Sequence, residues 1–156
     1  MLTWDDLKLF VLSMSFTALT PPPTARHTRT CALWVDGEIV IGRFHDGAIV
    51  TGDDARENLG VLLEFVGDRR APVLVDLRGI QSQSAEARSV FAGPDAFRAS
   101  IAVALLIGST ISRVVGNFYL GFNKPLTPSR LFTDPADARV WLLAWRASEP
   151  AVGPTP

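Results

Sequence analysis

The sequence is poor in the residues that build disulfides and metal centres. Its 156 residues include one cysteine, Cys31, and two histidines, His27 and His45. A single cysteine excludes an internal disulfide and a cysteine metal cluster. The histidines lie in a proline-rich segment and a predicted turn, without the helical spacing of a metal-binding pair. We therefore predict no metal site and no cofactor.

An excess of charge of one sign is also missing. Fifteen basic residues balance 16 acidic ones, for a net charge of −1. The protein therefore lacks the field that would attract nucleic acid or an anionic membrane, and neither is a predicted partner.

The longest apolar stretch near the start, residues 7–19, is shorter than the ~20 residues that a membrane span needs. Asp5 and Asp6 precede Lys8, an order that is unlike a secretory signal. We predict a poorly ordered extension over residues 1–28, with a short helix from residue 5 to 15. A cleaved signal and a misassigned translation start are the alternatives. Without a convincing export signal, and with a free cysteine, the predicted location is cytoplasmic.

Complete catalytic motifs are absent as well. The sequence contains neither a P-loop nor a Gly-x-Gly-x-x-Gly segment. An enzyme would have to draw on Asp76, Ser84, Arg88 and Lys124, and no histidine is predicted beside Ser84 to act as its base. The protein is predicted not to be an enzyme.

Two continuous apolar runs, 73–75 and 101–107, dominate what is present. Runs of this kind are typical of parallel strands that are buried on both faces. Upstream, Asp36-Gly37 separates two β-type stretches, 30–35 and 38–44, and therefore predicts a hairpin.

Helix signals alternate with these strands. Apolar residues recur at helical spacing after Thr51, Ser84 precedes good helix formers, and Asp134-Pro135 begins the last helix. The predicted order is β-β-α-β-α-β-α-β-α. It indicates an α/β domain over residues 29–148, with a mixed, largely parallel sheet of four to five strands and about four helices. Residues 149–156 carry three prolines and a glycine, and are predicted to be a disordered tail.

The polar residues at the end of the first buried run are candidates for a site. Asp76 stands at the carboxyl end of the strand, where open α/β sheets place functional groups. Ser84 is a natural N-cap of the next helix. The alternative is structural, with Asp76 fixing the loop and Ser84 only capping.

The stretch Val73 to Ile80, followed by a helix that starts at Ser84, resembles the STAS-like family with the anti-sigma-factor-antagonist (SpoIIAA-like) fold. The likeness covers residues 29 to 147. The segments 87–88, 117–119, 123–125, 131–134 and 141–142 resemble a divergent group of small uncharacterised bacterial proteins. The resemblance implies a regulatory, protein-binding module that is switched by phosphorylation of a serine, here Ser84. Where the family has Asp-Ser-Ser-Gly, this chain has Gln-Ser-Gln-Ser at 81–84.

The segment 111–122 is apolar around more than one side of a helix, which is typical of deep burial or of docking on a partner. We expect a homodimer or another protein partner there. The alternative function is a small-molecule or lipid-binding domain with an apolar pocket beside this helix. Arg88, Asn117 and Lys124 would then supply the polar contacts.

Overall fold

The computed structural model describes residues 3–6 and 19–149. Eight strands occur in this part of the chain: β1 Arg26–His27, β2 Cys31–Asp36, β3 Ile39–Phe44, β4 Ala48–Val50, β5 Ala71–Asp76, β6 Ile80–Gln83, β7 Ser100–Leu106 and β8 Ser129–Phe132. The helices are α1 Gly52–Val66, α2 Ala85–Phe91, α3 Pro94–Ala99, α4 Thr110–Phe118 and α5 Pro135–Ser148. A π-helical turn, Tyr119–Asn123, extends α4.

Six of these strands form one sheet in the order β1-β2-β3-β5-β7-β8. The pairs β1–β2 and β2–β3 are antiparallel, and the pairs from β3 across to β8 are parallel. Strands β4 and β6 form a separate parallel pair. The predicted mixed, largely parallel sheet is confirmed, although the described residues contain more strands than the four to five expected.

The predicted hairpin joins β2 to β3. Asp36 is opposite Ile39, and Gly37 takes a φ of 61°, a left-handed conformation that glycine adopts without steric cost. The Asp-Gly signal therefore located the turn correctly.

The two continuous apolar runs are neighbours at the centre of the sheet. Val73 is opposite Val103 and Leu74 is opposite Ala104, in parallel register. All seven residues of β7 are buried. Helices cover both sides of these strands, which explains why their apolar residues run without alternation.

Two core clusters lie on the two sides of the sheet. The first packs alternate strand residues, among them Val73 and Val103, against α1, α2, α3 and α4. We call this side the α1–α4 face. The second packs the intervening residues, among them Leu74 and Leu106, against α5. This side is the α5 face.

The described part of the N-terminal segment contacts the sheet. Leu19 is buried in the cluster on the α5 face, and its carbonyl accepts a hydrogen bond from Arg43 Nη1 at 2.9 Å. Most of the helix predicted over 5–15, and the predicted tail beyond residue 149, lie outside the described residues. Across residues 3–6 and 19–149, no helix combines the length and apolar character that crossing a membrane requires.

Candidate functional site beneath helices α1 to α4

A cavity of about 90 Å³ lies between the α1–α4 face of the sheet and the helices above it. Its floor is made by side chains and backbone at alternating positions of β3 and of β5 with its following loop: Val40, Gly42, Phe44, Val73, Val75 and Leu77. Gly42 contributes no side chain to a floor that is otherwise apolar and bulky. A Cβ built on Gly42 would lie 3.6 Å from Cys31 Sγ, at ordinary van der Waals distance. The missing side chain therefore helps to leave the space open.

The roof is contributed by all four helices of this side. The apolar side chains that line it are Leu59 and Leu62 of α1, Phe91 of α2, Ala96 of α3, Val115 of α4 and Tyr119 of the π turn. Phe91 also meets Phe44 edge to face, with ring centroids 6.3 Å apart. The α2 part of the roof is thin: Ala87 is the one fully buried residue of that helix, and the rest of α2 has solvent-exposed surface.

Most polar groups in the cavity wall already have a partner within the protein. Asn58 donates from Nδ2 to Thr30 Oγ1 at 3.0 Å and accepts from Thr28 Oγ1. The Tyr119 hydroxyl donates to the carbonyl of Phe91 at 3.3 Å. These bonds satisfy the groups. The first two join α1 to the segment before β2, and the third joins the π turn to α2.

Gln83 is different. It lies at the end of β6, lines the cavity and is half-buried. Its main-chain carbonyl accepts a bond from Arg88 Nη1 at 2.7 Å, but its side-chain amide makes no hydrogen bond with another described residue. It therefore provides donors and an acceptor that a ligand could use.

Burial keeps the titratable groups of the wall in their neutral forms. It raises the pKa of the Cys31 thiol, with a smaller contribution from the charge of Asp76. Burial likewise raises the pKa of Tyr119 to about 12. A protonated thiol is a weak nucleophile, so the chemistry of this wall suits binding better than covalent catalysis.

Asp76 lies on the other side of the sheet, in the buried layer of the α5 face. Its carboxylate accepts bonds from the Arg78 main-chain N–H at 3.0 Å and from Arg78 Nε and Nη2, both at 2.9 Å. This ion pair fixes the turn after β5 and raises the pKa of the Arg78 guanidinium. The observed contacts match the structural alternative for Asp76.

Ser84 is the N-cap of α2, as its sequence context predicts. Its hydroxyl accepts a bond from the Ala87 N–H at 3.0 Å, and the residue is exposed. Arg88, one turn later, directs Nη1 to the carbonyl of Gln83.

Asn117 and Lys124 are exposed residues on α4 and just after the π turn. Lys124 has a φ of 44°, in the left-handed region. None of the five predicted site residues, Asp76, Ser84, Arg88, Asn117 and Lys124, lines the cavity. Sequence reasoning missed Gln83 and Cys31, although Gly42 inside an apolar strand is a signal that something unusual lies beside it.

A second surface is formed by α4 and the segment after it. Among the side chains that the structure describes on this surface, four large apolar ones are exposed: Ile111 (50%), Val114 (47%), Phe122 (80%) and Leu126 (60%). The inner side of the same helix supplies Val115 to the cavity, so α4 has apolar residues on both sides. This distribution agrees with the all-round apolar character read from the sequence.

Among residues 3–6 and 19–149, no group of three or more histidine, cysteine, aspartate or glutamate side chains is placed to hold a metal ion.

Comparisons with known proteins identify a matching family and similar structures. The model of a family described as Domain of unknown function (DUF7793) matches residues 33–146. A crystal structure of a protein of unknown function from Arthrobacter sp. FB24 shares 34% identity over 71% of this chain and 97% of that one, with a TM-score of 0.29. No curated protein matches.

A structure of an uncharacterised DUF3478-family protein from Shewanella loihica PV-4, described as having a SpoIIAA-like fold, is also similar. It shares 14% identity over 72% of this chain and 91% of that one, with a TM-score of 0.48. The fold class itself follows from the strand order and helix placement of this chain.

Proposed function

The chain belongs to the DUF7793 family of domains of unknown function, and we propose that it is a non-enzymatic binding module whose ligand occupies the cavity beneath α1 to α4. The observation that supports this best is the cavity itself. Interiors normally pack to the density of organic crystals, and voids larger than a water molecule are few. A void of about 90 Å³ with a mainly apolar wall and two polar side chains, Gln83 and Ser100, without a described hydrogen-bond partner has the composition of a ligand site.

NMR spectroscopy with small neutral probes tests this proposal. Xenon and n-pentane, added to the 15N- and methyl-labelled protein, should shift resonances of cavity residues such as Val75, Leu105 and Val115. The Gly42→Val variant places methyl groups in the cavity and should abolish these shifts while the chain stays folded. Unchanged spectra of the wild-type protein at saturating probe would contradict a ligand-binding cavity.

A second candidate function is protein binding through the exposed side chains of α4. Residues 96–133 contain no aspartate or glutamate, and exposed Arg113 and Lys124 accompany Ile111, Val114 and Phe122. A symmetric dimer through this surface would bring like charges together, so the charge favours a partner with an acidic, apolar surface. This would be the regulatory interaction that the STAS-like resemblance implies.

Sedimentation and peptide binding separate these partners. An amphipathic helical peptide with an acidic polar side should shift the resonances of 111–126, and binding should weaken with added salt. Arg113→Glu should weaken peptide binding. Arg98→Glu, on α3, is the charge-matched control and should leave peptide binding unchanged. Dimerisation with no peptide binding would instead support self-association.

Phosphorylation of Ser84 is the regulatory input that the resemblance implies. The exposed hydroxyl at the start of α2 is accessible to a kinase, and a phosphate there would interact favourably with the helix dipole. Glu86, exposed in the first turn, would oppose it. Intact-mass analysis after incubation with a serine kinase, with Ser84→Ala as the control, tests the switch; equal labelling of both proteins would exclude this site.

A further inference from the structure

We infer that the ligand of the cavity is a short, unbranched carboxylic acid, with its alkyl chain along β3 and β5 and its carboxyl group hydrogen-bonded to Gln83. This inference rests on the proposed ligand-binding function and adds the class and orientation of the ligand.

The shape of the cavity selects a linear chain. Its floor extends from Val40 to Phe44 on β3 and from Val73 to Leu77 beside it, five residues and four residue steps in each case. At roughly 3.3 Å per residue, this floor is about 13 Å long. A volume of about 90 Å³ along that length leaves a narrow space. Engineered cavities that hold benzene are compact and have about 150 Å³, so a smaller volume spread along this length favours a chain over a ring.

The polar end follows from the hydrogen-bonding state of the wall. Asn58 and Tyr119 are bonded within the protein, whereas the Gln83 amide and the Ser100 hydroxyl have no described partner. Ser100 is buried, whereas Gln83 is half-buried, so the Gln83 end is closer to solvent and takes a charged group at a lower desolvation cost. The guanidinium of Arg88 is held at 2.7 Å from the Gln83 carbonyl, which places a positive charge beside this end. An amide N–H next to a cation favours a carboxylate and disfavours an ammonium group.

The expected affinities follow from apolar transfer. Each methylene that enters the cavity should strengthen binding about fourfold. The gain should stop once the chain fills the available length. Short acids should therefore bind weakly, and a series of chain lengths should show a rise followed by a plateau.

The experiment is an NMR titration of the full chain at neutral pH with butanoic, hexanoic, octanoic and decanoic acids, with hexylamine and cyclohexanecarboxylic acid as controls. We expect a rise of about fourfold per methylene among the shorter acids and then a plateau. Hexylamine and the cyclic acid should bind at least about tenfold more weakly than hexanoic acid.

Two variants locate the carboxyl group. Gln83→Leu should weaken hexanoic acid about tenfold or more and leave n-pentane binding unchanged, since it removes a hydrogen bond to a charged group. Gln81→Leu, at an exposed position of the same strand, is the matched control and should change neither.

The outcomes are distinguishable. If n-pentane binds and hexanoic acid binds no more tightly than it, the assignment of a carboxylic acid is wrong and the proposed cavity function stands. The same holds if Gln83→Leu does not weaken the binding of hexanoic acid. Equal affinity of the cyclic acid overturns the linear shape. If neither n-pentane nor xenon binds, the proposed function fails, and this inference fails with it.

Discussion

The two faces of one sheet differ in how completely they are filled. On the α5 face, Leu74, Leu106 and Leu142 have no exposed surface, and Ala104 and Ala138 are equally inaccessible. On the α1–α4 face, the same strands present Val73, Val75 and Leu105 to a cavity. The backbone is shared, so the difference comes from the side chains and from the helices that cover them.

The covering helices explain the contrast. One 14-residue helix, α5, packs its alanine and leucine side chains close against small strand residues such as Ala102 and Ala104. The other face is covered by four helices: α1 with 15 residues, α2 with seven, α3 with six and α4 with nine. Four helices leave gaps where they meet that a single helix does not, and the space left over is the candidate site.

The largest expected effect comes from truncating a leucine on each face. Leu142→Ala should lower the free energy of unfolding by about 3–5 kcal/mol, because it opens a void in a filled layer. Leu62→Ala should cost about 2 kcal/mol, because Leu62 lines a cavity and has fewer atoms in contact to lose. Urea unfolding of both variants measures the difference. Equal losses would mean that the two faces are equally well packed.

Enlarging a side chain should change stability in opposite directions on the two faces. Ala104→Val, against α5, should cost about 1–3 kcal/mol through overpacking. Gly42→Val should instead stabilise by up to about 1 kcal/mol, because the cavity accepts its methyl groups and valine favours a strand. Thermal and urea unfolding report the sign. A destabilised Gly42→Val protein would show that the cavity cannot accept the side chain.

The anchoring of α1, the longest part of the cavity roof, should depend on pH. The buried Asp54 carboxylate accepts a bond from Arg29 Nε at 2.7 Å and a second from Arg29 Nη2, and it also closes the capping box with Thr51. The hydrogen bond from Arg29 is the main reason why the pKa of Asp54 lies well below its usual range. Asp54→Asn should cost about 1 kcal/mol at pH 7, a value typical of a helix cap in a pair that solvent partly screens.

The sign of the pH dependence follows from the lowered pKa. The stabilisation is complete above the unfolded value of about 3.9, and it disappears as the pH falls through the lower folded value. The wild-type and Asp54→Asn stabilities should therefore converge below about pH 4. Asp53→Asn, at an exposed neighbouring position, is the control. A difference that persists unchanged at low pH would exclude the charge as its cause.

The smallest expected effect concerns local opening of α2. Ser84→Ala removes the N-cap, and a loss of about 1 kcal/mol should increase opening of this thin part of the roof about fivefold. Alkylation of the buried Cys31 under native conditions would report it as a faster rate. Ser82→Ala, exposed on β6, is the matched control. An unchanged rate in Ser84→Ala would mean that α2 does not control access to the cavity.

Local signals were sufficient for most of the framework. The runs at 73–75 and 101–107 predicted central strands, Asp36-Gly37 the hairpin, and Ser84 a helix cap, because each depends on neighbours within a few residues. The pairs β1–β2 and β4–β6 were missed. Strands of two to four residues exist by pairing with distant partners, so their own sequence carries little signal.

The candidate site could not be reached in the same way. Asp76 stands at a strand end that often carries function, yet the position of Arg78 makes it part of a structural ion pair. Gln83 has no distinguishing pattern, and its interest depends on which groups the fold leaves without a partner. Asn117 and Lys124 are exposed and lie outside the cavity wall, because the helix turns Val115 and Tyr119 inward.

The sequence by itself determined the order of the main strands and helices and the burial of the two central strands, because periodicity, caps and turns act over short distances. The tertiary structure decided where space remains. A cavity forms where the surfaces of packed elements do not match in shape, here between the sheet with Gly42 at its floor and the four helices above it. This mismatch arises only when residues far apart in the chain are brought together.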